Sequence, residues 1–454
     1  MKSIRVSMIA VLTALALLGA ACSSDNALAN GKLPGGSNTP VSTGVITPHI
    51  TLSEFSITGD LRVPAGSINL DVLNKGGVEH TLALRGGPTT GNISSNQSAS
   101  LDLGQMAPGE YELYCEIPGH KEAGMTATLT VVDPSQAGDI QIAATRSETE
   151  PDWAALDAAM QDSMKLFPAT TQGKGNQVID PVVLSDGTKE FTLRVAVTPW
   201  EVEPGKFVDA WTYNGMVPGP QFRLNVGDHV RINVQNDLPM GTDIHWHGIP
   251  TPNEMDGVAP ITQDLILSGE SYVYEFDIRR QGIGMYHAHH QGQTEIPNGL
   301  FGTFIVGDMP LPYGQTIGGN TIPEKKDLKI AQEIPMVLND AGVIGFSLNG
   351  KSFPATEPYV VKKDDWIVVN YYNEGLQIHP MHMHQFPQLV FAKDGFPLDH
   401  PYYADTVNIA PGERYSVLVH PDEVGTWVWH CHILTHVERD SGMFGMVTAL
   451  VVTA

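Results

Sequence analysis

Near the C-terminus, His430, Cys431 and His432 place three metal-ligating side chains in a row. Successive side chains of an extended strand point to opposite faces. The two imidazoles therefore share one face and the thiolate looks the other way. One strand could then serve two metal sites separated by a few covalent bonds. Soft thiolate suits electron-transfer copper, and imidazole suits copper generally. Copper is the metal that both ligand sets accept.

The rest of the chain supplies further ligands. His80, Cys115, His120 and Met125 make up a thiolate, two imidazoles and a weak thioether, the composition of a trigonal blue-copper electron-transfer site. The last three fall within CEIPGHKEAGM, as one loop between two strands would present them. This stretch resembles the cupredoxins, and the resemblance implies a Greek-key β-sandwich holding one copper. Four His-x-His pairs follow: His245/His247, His287/His289, His382/His384 and His430/His432. Each pair on a strand puts both rings on one face, and eight imidazoles facing a shared cavity could hold three coppers.

A second thiolate set surrounds the C-terminal pair: His379, Cys431, His436 and Met443. Here the chain resembles the multicopper oxidases, through NGMVPGPQFRLNVGDHV, HWHG, DGVAPITQ, YHAH, HPMHMH and HCHILTHVERDSGMFG. The resemblance implies a type 1 copper on His379, Cys431 and His436, and a type 2 copper on His245 and His382. It implies a type 3 pair on His247, His287, His289, His384, His430 and His432. Asp256 matches an acid near the trinuclear site and is a candidate proton relay. Cys431, with His430 and His432, would carry the electrons. Met443 lies further from His436 than the family's usual spacing and is read as the axial ligand across a bulged loop, with Met446 as the substitute. The total is about five coppers per chain.

The elements that position these ligands are β-strands. The 454 residues suggest about three domains. Short alternating runs such as INLDVLN, TATLTVV, FTLRVAV, SYVYEFDI and WIVVNYYN, punctuated by Gly, Pro and Asn, predict an all-β fold of three cupredoxin-like Greek-key β-sandwiches in tandem. The expected boundaries are residues 45–134, 184–310 and 311–454. Between the first two, residues 135–183 read as a connector with a short amphipathic helix, N-capped by Thr149 with Pro151 near its first turn. Its Met and aromatic stripe reads as packing.

Residues 1–22 read as an export signal: Lys2 and Arg5 precede an apolar run ending at Cys22. The segment resembles a bacterial lipoprotein signal, which implies an exported protein held to a membrane only through acylated Cys22. Residues 23–44 read as a flexible tether. The chain has three cysteines, and two sit in ligand patterns, so a disulfide framework is the weaker reading. A net charge of −24 excludes nucleic acid as a natural partner and favours a cationic or small neutral donor.

Only 90 positions separate His289 from His379, where long multicopper oxidases insert a whole domain. The chain resembles two-domain laccases, which implies a cluster formed between one subunit's HWHG domain and its neighbour's HCH domain, closing as a homotrimer. The implied activity is a laccase-like oxidation of a small-molecule, metal-ion or redox-protein donor, coupled to reduction of dioxygen to water. The N-terminal copper would be an added electron-transfer site. Copper nitrite reductase and a non-catalytic copper-binding electron shuttle are the alternatives.

Overall fold

The computed structural model describes residues 45–454 apart from 54, 77, 118, 119, 122, 123, 139, 141 and 143–151. The expected export signal, Cys22 and the tether lie outside the described residues. Among the described residues, no helix is long and apolar enough to cross a membrane.

One strand arrangement recurs three times. Near the start of each unit, two strands pair in parallel: His49–Ser53 with Gly66–Asn74, Lys189–Glu203 with His229–Asn236, and Ile330–Ala341 with Trp366–Asn373. In the facing sheets a late strand returns parallel to an early one. These pairs are Arg62–Pro64 with Thr126–Val132, Gly219–Leu224 with Phe301–Val306, and Tyr359–Lys362 with Val447–Thr453. Such returns give Greek-key sandwiches. Each sandwich closes over its own apolar core, built around Leu70, Leu113 and Val131 in the first, Phe222, Trp246 and Phe304 in the second, and Met381, Trp429 and Leu450 in the third.

A buried asparagine marks the same place in all three. Asn74, Asn236 and Asn373 end their strands fully buried. Asn373 Nδ2 donates to the carbonyls of Gln377 and Ile409, and its Oδ1 accepts from Gly375 N. Asn236 does the same with Met240, Ile266 and Leu238, and Asn74 with Val78, Ile93 and Gly76. The networks fix the loops that lead to His80, His245 and His379. Asn373→Ala should leave two buried carbonyls unpaired and cost about 3 kcal/mol, read as a lower urea midpoint. An unchanged midpoint would show that water replaces the amide.

The connector contains a helix, Trp153–Lys165, whose N-cap is Asp152, not Thr149: the Asp152 carboxylate accepts from Ala155 N. Thr149 and Pro151 lie outside the described residues. The stripe divides. Leu156, Met160 and Phe167 are half-buried, whereas Trp153 and Met164 are exposed. Phe167, just past the helix, stacks on Phe353 of the third sandwich at 5.1 Å.

Candidate metal centres

Two thiolate sets are assembled and buried. His80, Cys115 and His120 present ligand atoms within 4.8 Å of one another, as do His379, Cys431 and His436. In the first set, His120 Nδ1 lies 3.5 Å from Cys115 Sγ and 3.1 Å from His80 Nδ1. In the second, the Nδ1 atoms of His379 and His436 lie 3.8 and 3.6 Å from Cys431 Sγ. Two ring nitrogens converging on one sulfur in a dry site are the donor set of a trigonal copper–thiolate centre. Both cysteines are unpaired by disulfides.

The surroundings of the two thiols differ. Burial pushes Cys115 up, but His120, His80 and the Thr81 amide outweigh it and bring the thiol down to about 5. Burial pushes Cys431 up to about 12, with the Asp340 carboxylate adding to the shift. Metal entering the second site must displace that proton. Asp340 is fully buried and holds His379: its Oδ2 lies 2.8 Å from His379 Nε2, and it accepts from the amides of Leu376 and Gln377. That bond leaves His379 Nδ1 to face the sulfur. Nothing in the local spacing marks Asp340, which comes from a different strand of the sandwich.

The backbone around the two thiolate loops places Met446, rather than Met443, in the position that Met125 has. Cys115 N donates to Met125 O and Met125 N donates to His120 O. In the third sandwich, Cys431 N donates to Met446 O and Met446 N donates to His436 O. Met446, fully buried, therefore occupies the place equivalent to Met125, and Met443 does not. The additional loop residues form a small hairpin, Glu438–Arg439 with Gly442–Met443, and Met443 N donates to Ser163 Oγ of the connector helix.

The eight paired histidines form two separate groups of four. In the second sandwich, the His245 ring centroid lies 5.6, 5.6 and 5.8 Å from those of His247, His287 and His289. In the third, His382 lies 4.9, 5.7 and 5.6 Å from His384, His430 and His432. Among the described residues, no ring contact joins one group to the other. His289, His384 and His432 are exposed.

The two groups mirror each other. His245 Nδ1 donates to Asp256 O and His287 Nδ1 to Ala288 O; His382 Nδ1 donates to Asp405 O and His430 Nδ1 to Cys431 O. Each such bond fixes the tautomer and leaves Nε2 as the lone-pair nitrogen. Burial lowers His247 to about 3 and His287 to about 4, so both rings are neutral and ready to ligate at pH 7. Asp256 Oδ1 lies 3.5 Å from His245 Nδ1, which puts this acid beside the group. Ala288 stands where the third sandwich has Cys431, so the second sandwich has no thiolate set.

Two further acids support the second group. Asp243 accepts from the amides of His289, His290 and Ala259 and so shapes the His289 loop. Fully buried Glu295 accepts from Thr242 Oγ1 at 2.6 Å, and burial pushes its carboxyl up to about 8. Between the ordinary carboxylate range and about 8, the folded chain keeps a proton that the unfolded chain has lost. Stability from this group is full at low pH and falls as pH rises through that window. Glu295→Gln should therefore gain on the wild type from about pH 5 to about pH 9, by up to about 5 kcal/mol. A difference in urea midpoint that stays flat with pH would count against a titrating Glu295.

Comparison with known proteins places these features. Two family models described as multicopper oxidase match residues 194–310 and 325–451, and a sulfocyanin domain model matches residues 68–137. The solved structure of a multicopper oxidase termed mgLAC is 34% identical, with a TM-score of 0.53, covering 58% of this chain and 86% of its own. A blue copper oxidase from Nitrosomonas europaea is 31% identical, with a TM-score of 0.52 and the same coverage of 58% and 86%. Laccase-2 of Botryotinia fuckeliana is 30% identical over 270 residues, which are 53% of this chain and 45% of that laccase. The chain spans about half the length, or less, of the curated relatives it matches.

Proposed function

Since this chain belongs to the multicopper oxidase family and carries an additional N-terminal cupredoxin domain, we propose that it is an exported, laccase-like oxidase. It would couple one-electron oxidation of a donor to reduction of dioxygen to water. The observation that carries this reading is the strand Gly425–Cys431 and the residue after it. Cys431 faces the buried set of His379 and His436, while His430 and His432 belong to the open group of four imidazoles. A few covalent bonds join the two.

Copper bound to these residues supplies reversible one-electron chemistry and the site at which dioxygen takes up four electrons. The protein's own part is to place and to protect. His80, Cys115 and His120 would hold one copper with Met125 axial, and His379, Cys431 and His436 another with Met446 axial. The eight paired histidines would hold the trinuclear cluster, with the tautomers of His245, His287, His382 and His430 set by backbone carbonyls. Asp256, 40% exposed beside His245, stands between solvent and the cluster and would pass protons inward.

The two open groups of four support assembly of the cluster between subunits, with a homotrimer as the closed ring. Export and anchoring through Cys22 rest on the N-terminal sequence alone. A non-catalytic copper carrier is the second reading, favoured by the separation of the two groups within one chain. Four imidazoles in each group exceed what the single type 2 copper of a nitrite reductase requires. Oxygen uptake by the copper-loaded protein, screened over phenolic, ferrous and cuprous donors, tests the proposal. Uptake that follows donor oxidation is the expected result; no uptake with any donor by the assembled, fully loaded protein would leave the carrier.

A further inference from the structure

His436 is fully buried, and so is His379. Full burial closes the His436 ring to direct contact by a donor. Phe346 stacks on it, with centroids 4.2 Å apart and planes at 25°. Phe346 in turn meets Phe55 of the N-terminal sandwich at 5.6 Å, and Phe55 meets the edge of His120 at 5.3 Å. The two Phe55 contacts lie in the ordinary range for aromatic pairs, and the Phe346–His436 stack is closer still. One ligand of each thiolate set is thus joined by an unbroken run of rings, His120–Phe55–Phe346–His436.

We infer that Phe55 and Phe346 form the electron bridge between the two thiolate sets, and that the N-terminal set is the port through which a donor's electrons reach the oxidase site. The inference rests on the copper assignment of both sets. One electron leaves the cuprous ion of the N-terminal set, which becomes cupric, and a cupric ion of the C-terminal set becomes cuprous. No bond forms or breaks and no proton moves. An external one-electron reductant resupplies the first ion.

Two further observations point the same way. Phe55 sits between the paired strands His49–Ser53 and Ser56–Gly59, with φ +56°. Glycine or asparagine takes that left-handed conformation far more readily than a bulky aromatic residue, yet the position carries a ring that packs against both apolar cores. The N-terminal set is less tightly closed, with His120 7% exposed against 0% for His436. His120 lines a cleft of about 650 Å³ that Glu79 and Glu116 also line, a setting suited to a cationic reductant. The cleft's other side includes Asp340, which holds His379. A donor there could instead feed the second set directly, and the test separates the two routes.

The test uses the full copper-loaded chain, oxidised and free of oxygen. A pulse delivers less than one reducing equivalent, and absorption and electron paramagnetic resonance follow its passage from one blue site to the other. Phe55→Gly suits the turn while deleting the ring, Phe346→Leu keeps an apolar filler, and Phe55→Tyr keeps the ring. Both blue signals should persist in all three. The transfer rate should fall about tenfold in Phe55→Gly and in Phe346→Leu and hold in Phe55→Tyr. If the rings only pack the sandwiches together, Phe55→Gly and Phe346→Leu will lose thermal stability with the transfer rate unchanged, which overturns the bridge alone. A missing blue signal in the unaltered loaded chain overturns the copper assignment itself, and the bridge with it.

Discussion

Replacing Cys431 by serine is expected to abolish oxidase turnover while leaving half of the blue colour. Serine has nearly the volume of cysteine, so the buried site should keep its packing. Its hydroxyl, however, does not ionise under these conditions and is a hard oxygen donor where copper wants a soft one. The set of His379 and His436 loses its sulfur, and the covalent link from that set to His430 and His432 loses its first atom. Turnover should fall by about a thousandfold or more, as for removal of any group the reaction runs through. The set of His80, Cys115 and His120 is untouched, so its blue band should remain. Cys115→Ser gives the converse pattern: the C-terminal band persists, and donor-driven turnover drops because the entry port is gone. Parallel loss of both bands in either variant would mean that the sites do not form independently.

The second large effect is complementation. His247 belongs to the group in the second sandwich and His430 to the group in the third. His247→Ala and His430→Ala should each be inactive, although each keeps both thiolate sets. Where the cluster is built between subunits, a ring assembled from both variants contains interfaces that draw an intact second sandwich from one chain and an intact third sandwich from the other. Random assembly should make about a quarter of the interfaces intact. Activity should therefore return on co-assembly to about that fraction of the wild-type level. If each chain folded both groups into one cluster by itself, mixing would restore nothing.

Much of the chemistry was legible in the sequence because period-two alternation is a local rule. His-x-His at alternating positions predicts two rings on one side; the rings do gather around His245 and His382, although only His287, His382 and His430 lie within strands, at or near their ends. The three sandwiches were legible for the same reason, from short alternating runs between turn residues. What local rules do not carry is contact between distant segments. Asp340 meets His379 only through the packing of the third sandwich, and Phe55 meets Phe346 only through the docking of the first sandwich on the third.

Two expectations had readable alternatives. Counting forward from His436 selected Met443, because the loop after that histidine was taken as a variation on a fixed length. The physical constraint lies at the other end. The axial position immediately precedes the last strand, as Met125 precedes Thr126–Val132 and Met446 precedes Val447–Thr453. Counting back from the strand would have chosen Met446. The asparagines likewise recur at one place in VLNKGG, VQNDLP and YYNEGL, a clearer mark of the repeat than overall identity. The helix start was misplaced because Thr149 and Asp152 both suit an N-cap, and local composition does not choose between them.

Copper bound per chain, measured on the assembled and single-chain fractions of one loaded preparation, tests most directly whether the oxidase cluster is shared between subunits. The two thiolate sets are complete within a chain, and among the described residues no ring contact joins the group of His245 to that of His382. The account predicts about five coppers per chain in the assembled fraction and about two in the single chain. The same count in both fractions would contradict it.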